Sequence, residues 1–317
     1  MALKDTFELV KEAGKDFMDD ECPRLAAALS YYTVFALPPL LILILMIVGA
    51  FVSREQVQEA MQTQMGSMIG QSGAEGVHTI LTHAKQPGES RGIGAVLGVL
   101  AAVFGATGAF GQLQAALNRA WEVEPDPKAG GLKNFVFKRL LSFGMILGVA
   151  FLLLVSLALT AAISAMGGAL GRVLPGLGEP VLHVINFTVT FVVITGLFAT
   201  MFKVLPDAKI AWKDVWVGAV VTAVLFMVGK FAIGLYLGRS NPGQAFGAAA
   251  SLAVILVWIY YASMILLFGA EFTQTWAVRR GSGIEPEEGA VRVVEEKRHV
   301  RDPREEAELK RKEEGKK

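Results

Sequence analysis

The sequence has few of the residues from which many enzyme sites are built. Its 317 residues include one cysteine, Cys22, so no disulfide forms within the chain and no cysteine-based metal site is available. The histidines are few and far apart: His78, His83, His183 and His299. No Gly-rich phosphate loop, nucleophile elbow or helical His-Glu-x-x-His motif is present. We therefore expect no metal, no cofactor and no enzymatic activity.

Charge is absent from long stretches of the chain. A helix needs about 20 mostly apolar residues to cross the hydrocarbon core of a bilayer. The sequence is 53% hydrophobic, which is more apolar surface than one soluble core buries. Six runs of suitable length contain no charged residue apart from Lys230 and Glu271: Ala26–Val52, Gly92–Asn118, Leu140–Leu170, Val181–Phe202, Val215–Leu237 and Ser251–Trp276. We predict an all-α polytopic membrane protein, a bundle of six transmembrane helices.

Lys and Arg are distributed unevenly between the segments that join these runs. Of the 30 Lys and Arg residues, 24 lie in one alternating set of segments: 1–25, 119–139, 203–213 and 277–317. The other set contains 5 of them: 53–91, 171–180 and 238–250. Segments that stay in the cytoplasm retain positive charge. We therefore predict a multi-pass protein of the cell inner (plasma) membrane with both termini in the cytoplasm.

Three segments flank or interrupt the membrane domain, which we assign to residues 26–276. Residues 1–25 lack the apolar core of a signal peptide and predict a cytoplasmic amphipathic helix on the membrane surface. Its apolar residues recur at helical spacing: Phe7, Val10, Ala13 or Gly14, and Phe17. Residues 53–91 predict a helical loop that caps the outer side. Residues 277–317 mix acids and bases and predict a flexible cytoplasmic tail.

The first run contains two adjacent prolines, Pro38 and Pro39, near its middle. Proline removes a backbone donor and clashes with the preceding turn, so we expect this helix to kink or break. The freed carbonyls need partners, which favours a position against protein or water rather than lipid. Either the kink is structural, or it borders a substrate pathway like those that broken helices form in transporters.

The second run has a face with almost no side chains. Small residues recur there at alternating spacings of four and three: Gly94, Gly98, Ala101, Gly105 and Gly108. Such a face permits the close approach of another helix. The neighbour is either a helix of the same chain or a second copy in a homo-oligomer, and a substrate groove is the third interpretation.

Lys230 and Glu271 are charged residues inside predicted membrane helices. A charge at the bilayer centre costs about 2.5 to 3.5 kcal/mol on insertion scales, so both are functional candidates. Lys230 either extends to the membrane surface or belongs to a pathway. Near Glu271 we expect an ion-pair cluster at the cytoplasmic ends of the helices, which either locks those ends or opens as a gate. Its members are Arg24, Arg119, Glu122, Arg139 and Glu271.

Six short segments carry motifs in order along the chain. They are RLAAALSYYTVFALPP (24–39), LNRAWEV (117–123), KVLPDA (203–208), WVGA (216–219), WIYY (258–261) and GAE (269–271). Together they resemble the YihY/virulence factor BrkB family over most of the predicted membrane domain. The resemblance implies a six-span inner-membrane protein for which transport or export is the usual assignment, and an old ribonuclease BN label that we do not expect to apply.

The resemblance also implies which positions carry the family motifs. They are Arg24, Tyr31, Tyr32, Pro38, Arg119, Trp121, Pro206 and Glu271. The charged tail beyond Arg280 lies outside that pattern, so the resemblance assigns it no role.

Our leading hypothesis is a transporter, exporter or flippase-like protein for a lipid, an amphipathic molecule or a small solute. The residues of its pathway or gate are then Tyr31, Tyr32, Pro38, Pro39, Lys230 and Glu271. The alternative is a structural or scaffolding membrane protein of the cell envelope, and a membrane-bound hydrolase comes third. Basic residues are interspersed with acids rather than gathered into a surface, so we expect the lipid bilayer and a solute as partners, and no nucleic acid.

Overall fold

The computed structural model describes residues 3–48, 93–126, 178–240 and 250–293, together with the single positions 53, 78, 140, 144 and 148. The helices within these ranges are α1 (Leu3–Asp19), α2 (Cys22–Val48), α3 (Ile93–Ala120), α4 (Gly178–Val204), α5 (Trp212–Ser240) and α6 (Ala250–Arg279). The strands are β1 (Val123–Pro125), β2 (Ala208–Lys209), β3 (Glu285–Pro286) and β4 (Ala290–Arg292). The fold is predominantly helical, which confirms the predicted all-α class.

Five of the six predicted membrane runs overlap with α2 to α6. The third run, 140–170, lies outside the described residues except for three helical positions, and most of the predicted outer loop 53–91 also lies outside them. Three described helices contain a segment long and apolar enough to cross a membrane: Phe187–Val204, Trp212–Leu235 and Ser251–Arg279. The count of six spans and the side on which the termini lie stay predictions.

One face of α5 is apolar and exposed along most of the helix. Its residues are Trp212, Trp216, Val220, Val224, Val228, Phe231 and Leu235. Because they recur every three or four positions, they form a single stripe. Such a stripe on an apolar helix suits contact with lipid, and tryptophans at one end of it are typical of a membrane–water interface.

The central helix of the described bundle is α6. It packs against α1, α2, α3 and α5, while α2 also packs against α3, and α4 packs against α5. A series of aromatic rings joins the end of α3 to α4, α5 and α6, with neighbouring centroids 5.5 to 6.2 Å apart. The rings are those of Trp121, Phe202, Phe198, Phe226 and Trp258. Aromatic pairs at such distances contribute about 0.5 to 1.5 kcal/mol each beyond their buried area.

Helices α5 and α6 cross where each carries a Gly-x-x-x-Thr sequence. The two pairs are Gly218 with Thr222 and Gly269 with Thr273. Each threonine hydroxyl donates to the carbonyl oxygen of the glycine in its own helix, at 2.7 Å in α5 and 2.6 Å in α6. Each threonine also packs against the glycine of the other helix, where an added Cβ would overlap it. Both glycines are therefore required for this close approach.

The small-residue face predicted on α3 is described only in part. Helix α3 packs along α2. An added Cβ at Gly108 would meet no atom within 4 Å in the described part of the chain. The side-chain surroundings of Gly94, Gly98, Ala101 and Gly105 lie outside the description. The role of this face stays a prediction, whereas glycine-mediated packing is observed at the α5–α6 crossing.

Helix α2 runs without interruption from Cys22 to Val48 and contains Pro38 and Pro39. The helix is therefore not broken at the prolines, and the alternative of a kink stays a prediction. Each proline removes only the donor for the carbonyl one turn earlier, and the hydrogen bonds of the flanking turns maintain the helix. Residues that we expected at a break lie instead on a continuous helical surface.

Most of the hydrogen-bonded polar contacts between described residues lie at one end of the bundle, which we call the capped end. Helices α3, α4 and α6 finish there, and α2 and α5 begin there. Strand β4 pairs antiparallel with β1, and β3 pairs antiparallel with β2, so the segment after α6 folds back over the connections that follow α3 and α4. The first part of the predicted flexible tail, through residue 293, is thus ordered. The rest of the tail lies outside the described residues.

Helix α1 packs against the last turns of α6 at the capped end and has two apolar faces. One face, Leu9, Ala13 and Phe17, is buried, and the Phe17 ring meets the Phe268 ring of α6 edge-on, with centroids 5.9 Å apart. The other face is exposed and contains Phe7, Val10 and Met18. The single apolar stripe predicted from the sequence is therefore divided between the bundle and an exposed surface.

Candidate functional site

Glu271 lies where α6 meets the beginning of α2. Its side chain is enclosed by protein, with 1% of the residue exposed. The thiol of Cys22, the first residue of α2, donates a hydrogen bond to Glu271 Oε1, with a distance of 3.3 Å from Sγ. The backbone oxygen of Glu271 accepts a hydrogen bond from the Thr275 hydroxyl at 2.9 Å. The acid that the sequence singled out is thus buried at the junction of two helices.

The charged residues predicted to cluster with Glu271 have other partners. In the described part of the chain Glu271 itself forms no ion pair, and Arg139 lies outside that part. The observed pairs are Arg119 Nε with Asp20 Oδ1 (3.5 Å), Arg24 with Glu21, and Arg292 Nη2 with Glu122 Oε2 (3.1 Å). The predicted cluster is therefore a set of neighbouring pairs around the capped end, with Glu271 buried among them.

Two ion pairs hold α1 against the end of α6. Glu12 pairs with Arg279, and Asp5 Oδ2 lies 3.5 Å from Arg280 Nη2. On the same helix, burial raises the pKa of the Asp16 carboxyl above its ordinary value, and the negative charge of Glu12 raises it further. Asp16 therefore holds a proton more tightly when α1 is docked than when the chain is unfolded.

Two helix ends in this region have a strained backbone. Glu21, between α1 and α2, has a φ of 54°, and Glu122, after α3, has a φ of 53°. A left-handed backbone costs a residue with a side chain about 1 to 2 kcal/mol. Strain of this kind persists where the surrounding contacts enforce it, and it is often found at functional sites.

Trp121 anchors the end of α3 in the core. It is 1% exposed, and its ring centroid lies 5.5 Å from that of Phe202. Its indole Nε1 finds no hydrogen-bond acceptor among the described residues. A buried donor without an acceptor costs about 1 to 3 kcal/mol. Trp121, which the family resemblance gave as a motif position, is thus a packing residue whose indole nitrogen is buried.

A polar network that the sequence reasoning missed joins α3 to the connection between α4 and α5. Asn118 Nδ2 donates to Asp207 Oδ2 at 2.8 Å, and the Asp207 N–H donates to Asn118 Oδ1 at 2.8 Å. Gln114 Nε2 also donates to Asp207 Oδ1, at 3.1 Å. The available signal was the spacing of two amides, four residues apart at the end of an apolar run, which places them on one helix face.

The beginning of α5 is fixed by two further contacts that were not predicted. Asp214 is buried in the first turn, and its Oδ2 accepts a hydrogen bond from the Ser282 N–H at 3.0 Å. Lys203 Nζ donates to the Ile210 oxygen at 2.6 Å and lies 6.0 Å from the centroid of the Trp212 ring. These contacts attach the segment after α6 and the end of α4 to α5.

The other predicted pathway residues lie away from Glu271. Tyr31 and Tyr32 are exposed on α2, with ring centroids 5.8 Å apart. Lys230 is half-buried on α5 and lies about 27 Å along the helix axis from Trp212, towards the opposite end. Of the predicted pathway set, the capped end contains Glu271 alone.

The chemistry available at the capped end is the exchange of protons and hydrogen bonds. Its functional groups include carboxyl, guanidinium, ammonium, amide and hydroxyl groups and one thiol. Across residues 3–48, 93–126, 178–240 and 250–293, no three His, Cys, Asp or Glu side chains are grouped so that they could hold a metal ion. The long apolar helices together with this polar cap define the class as a helical integral membrane protein.

Comparison with known proteins identifies the family. The family model described as "Virulence factor BrkB" matches residues 13–293, so the chain belongs to that family and the resemblance is confirmed. The match continues past Arg280, where we expected the family pattern to end, and includes β3 and β4. Because these strands pair with the connections after α3 and α4, the segment is part of the family fold rather than of the tail.

The similar curated proteins are each named a UPF0761 membrane protein. One from Stenotrophomonas maltophilia (strain K279a) is 30% identical over 274 residues, which are 85% of this chain and 61% of the relative. One from Pseudomonas aeruginosa (strain UCBPP-PA14) is 30% identical over 280 residues, 84% of this chain and 62% of the relative. One from Psychrobacter sp. (strain PRwf-1) is 28% identical over 278 residues, 86% of this chain and 48% of the relative. The chain thus spans about half to three fifths of their length. No solved structure matches it.

Proposed function

We propose that this chain is a transporter, exporter or flippase-like protein of the cell inner membrane that moves a lipid, an amphipathic molecule or a small solute. The observation that carries the proposal is the burial of Glu271 inside the apolar helix α6. Ionisable side chains in such helices are costly, and in membrane proteins they mark substrate and ion pathways. The place of Glu271 where α6 meets the start of α2 also suits a gate, because a small separation of those helix ends exposes it.

The proposed orientation places the capped end in the cytoplasm. All four segments rich in Lys and Arg begin or end at this end of the bundle, which supports a common side for them. Helices α3 and α4 both finish there, which is consistent with the six-span count. Reporter fusions at the two termini test this directly, because termini found in opposite compartments contradict an even number of spans.

Flux through the purified protein tests the transport function. The full-length chain is reconstituted into vesicles of phosphatidylethanolamine and phosphatidylglycerol that contain fluorescently labelled phosphatidylethanolamine. The accessibility of the label to a membrane-impermeant quencher is then followed with time. We expect the wild type to move the label faster than empty vesicles and Glu271→Gln to lose most of that rate. The matched control is Glu124→Gln, the same change at an exposed position on β1.

A second set of vesicles, loaded with a small fluorescent organic anion, covers polar solutes. If neither probe moves in the wild type, the transport proposal is rejected. The scaffolding alternative replaces it if removal of residues 294–317 abolishes the cellular phenotype. That deletion leaves β3 and β4 in place, so a loss of function is not caused by loss of the cap.

A further inference from the structure

Among the described residues, the buried carboxyl of Glu271 has few of the partners that an ionised carboxylate requires. Within the described part of the chain, the side chain accepts one hydrogen bond, from the Cys22 thiol, which is a weak donor. No donor from the described part of the chain reaches its second oxygen, Oε2. Burying a carboxylate costs several kcal/mol unless charge partners or several hydrogen bonds compensate. The geometry around Glu271 therefore fits a neutral carboxylic acid.

The charged groups on the neighbouring elements also favour the neutral form of Glu271. Three acids face Glu271: Asp16 of α1, Asp20 between α1 and α2, and Glu122 after α3. The basic group near this junction, Arg119 of α3, lies against Asp20 at 3.5 Å. The face of α6 that meets α5 carries Gly269 and Thr273, which contact the uncharged Thr222 and Gly218. A negative charge on Glu271 would be repelled by the acids and would gain no cation within the described part of the chain.

We infer that Glu271 is the proton-binding site through which a proton gradient drives the proposed transport. In the closed conformation seen here, Oε2 carries the proton and Oε1 accepts the Cys22 hydrogen bond. When α1, α2 and α6 separate at the capped end, water reaches the carboxyl and the Oε2–H bond gives its proton to that water. The resulting carboxylate is stable only while hydrated, so the ends close again after a proton is bound. Proton binding and closure are thus linked.

This inference rests on the proposed transport function, but its first test does not depend on transport. Infrared difference spectra between the wild type and Glu271→Gln at neutral pH isolate the carbonyl stretch of a protonated carboxylic acid. We expect that band at neutral pH, its loss at alkaline pH, and its return in Glu271→Asp, which keeps the carboxyl group. Glu124→Gln, at an exposed carboxylate, gives no such band. Absence of the band in the wild type at neutral pH overturns the inference.

The second test measures coupling in the reconstituted vesicles with labelled phosphatidylethanolamine and the organic anion. We expect a pH gradient to change the wild-type rate several-fold, and a protonophore to abolish that change. Glu271→Gln should be insensitive to the gradient, whereas Glu124→Gln should respond as the wild type does. If the wild type moves a probe at a rate independent of the gradient, proton coupling is rejected and the transport function stands. If no probe moves, both are rejected.

Discussion

The α5–α6 crossing and the capped end both bury polar groups, but they do so by different means. At the crossing, two threonine hydroxyls return hydrogen bonds to their own helices, and no ionisable group is involved. At the capped end, carboxyl, guanidinium and amide groups from several helices and connections meet, and the backbone is strained at two positions. The two hydroxyls at the crossing therefore keep the same hydrogen bonds at any pH, whereas the capped end contains groups whose charge changes with pH. Function is expected where the polar groups titrate.

The largest effect is expected at the crossing. In Gly269→Val, the new side chain overlaps Thr222 on α5, and overpacking of this kind costs about 3 kcal/mol. The apparent melting temperature in detergent should fall by several degrees. Gly196→Val is the matched control, because Gly196 also precedes a threonine by four residues but an added Cβ there meets no described residue within 4 Å. If both variants melt alike, close packing at the crossing does not determine stability.

A smaller effect is expected in the network at the capped end. Asn118→Ala removes the two hydrogen bonds between Asn118 and Asp207, at a cost of about 1 to 2 kcal/mol. We expect a lower melting temperature and faster proteolysis of the segment after α6. Gln112→Ala, a half-buried amide on the same helix, serves as the control. Equal melting temperatures for the Asn118 variant and the wild type would show that the pairing adds no net stability.

The smallest effect is a pH dependence of α1. Because the pKa of Asp16 is raised in the folded protein, the docked helix is destabilised where Asp16 is ionised. That destabilisation is relieved as the pH falls through the raised pKa. Hydrogen-exchange protection of α1, corrected for intrinsic exchange, should thus increase on mild acidification. Asp16→Asn should flatten this dependence, and an unchanged profile in the variant would assign it to another group.

The helices themselves follow from the sequence because lipid imposes a simple rule on apolar runs. A run of about 20 apolar residues satisfies its backbone only as a helix in a bilayer, so α2 to α6 could be located without tertiary information. Glu271 was recognised by the same reasoning, as a charge that such a helix tolerates only for a purpose. The family was recognised from short motifs, because a motif is a pattern in the sequence and can be detected without a structure.

Other features depend on contacts between segments that are far apart in the sequence. Such contacts cannot be predicted from composition. The segment through residue 293 was expected to be flexible because it is charged and lacks an apolar stripe. It is ordered because its backbone pairs with β1 and β2, which lie more than 70 residues earlier in the chain. Likewise, the expected ion pairs of Glu271 were assigned by depth in the membrane, whereas the observed pairs depend on which helix ends are adjacent.

Three Gly-x-x-x-Thr sequences show which features the sequence determines by itself and which the tertiary structure determines. The sequence determined that Gly196, Gly218 and Gly269 each precede a threonine by one helical turn, and each threonine hydroxyl donates to its glycine's carbonyl oxygen. That local bond follows from helix geometry, so the chain order alone decides it. Only the tertiary structure decided that Gly218 and Gly269 face the threonine of a neighbouring helix, while an added Cβ at Gly196 would meet none of the described residues. Helix periodicity fixes which residues share a face, but the packing of the whole bundle selects the face that meets a partner.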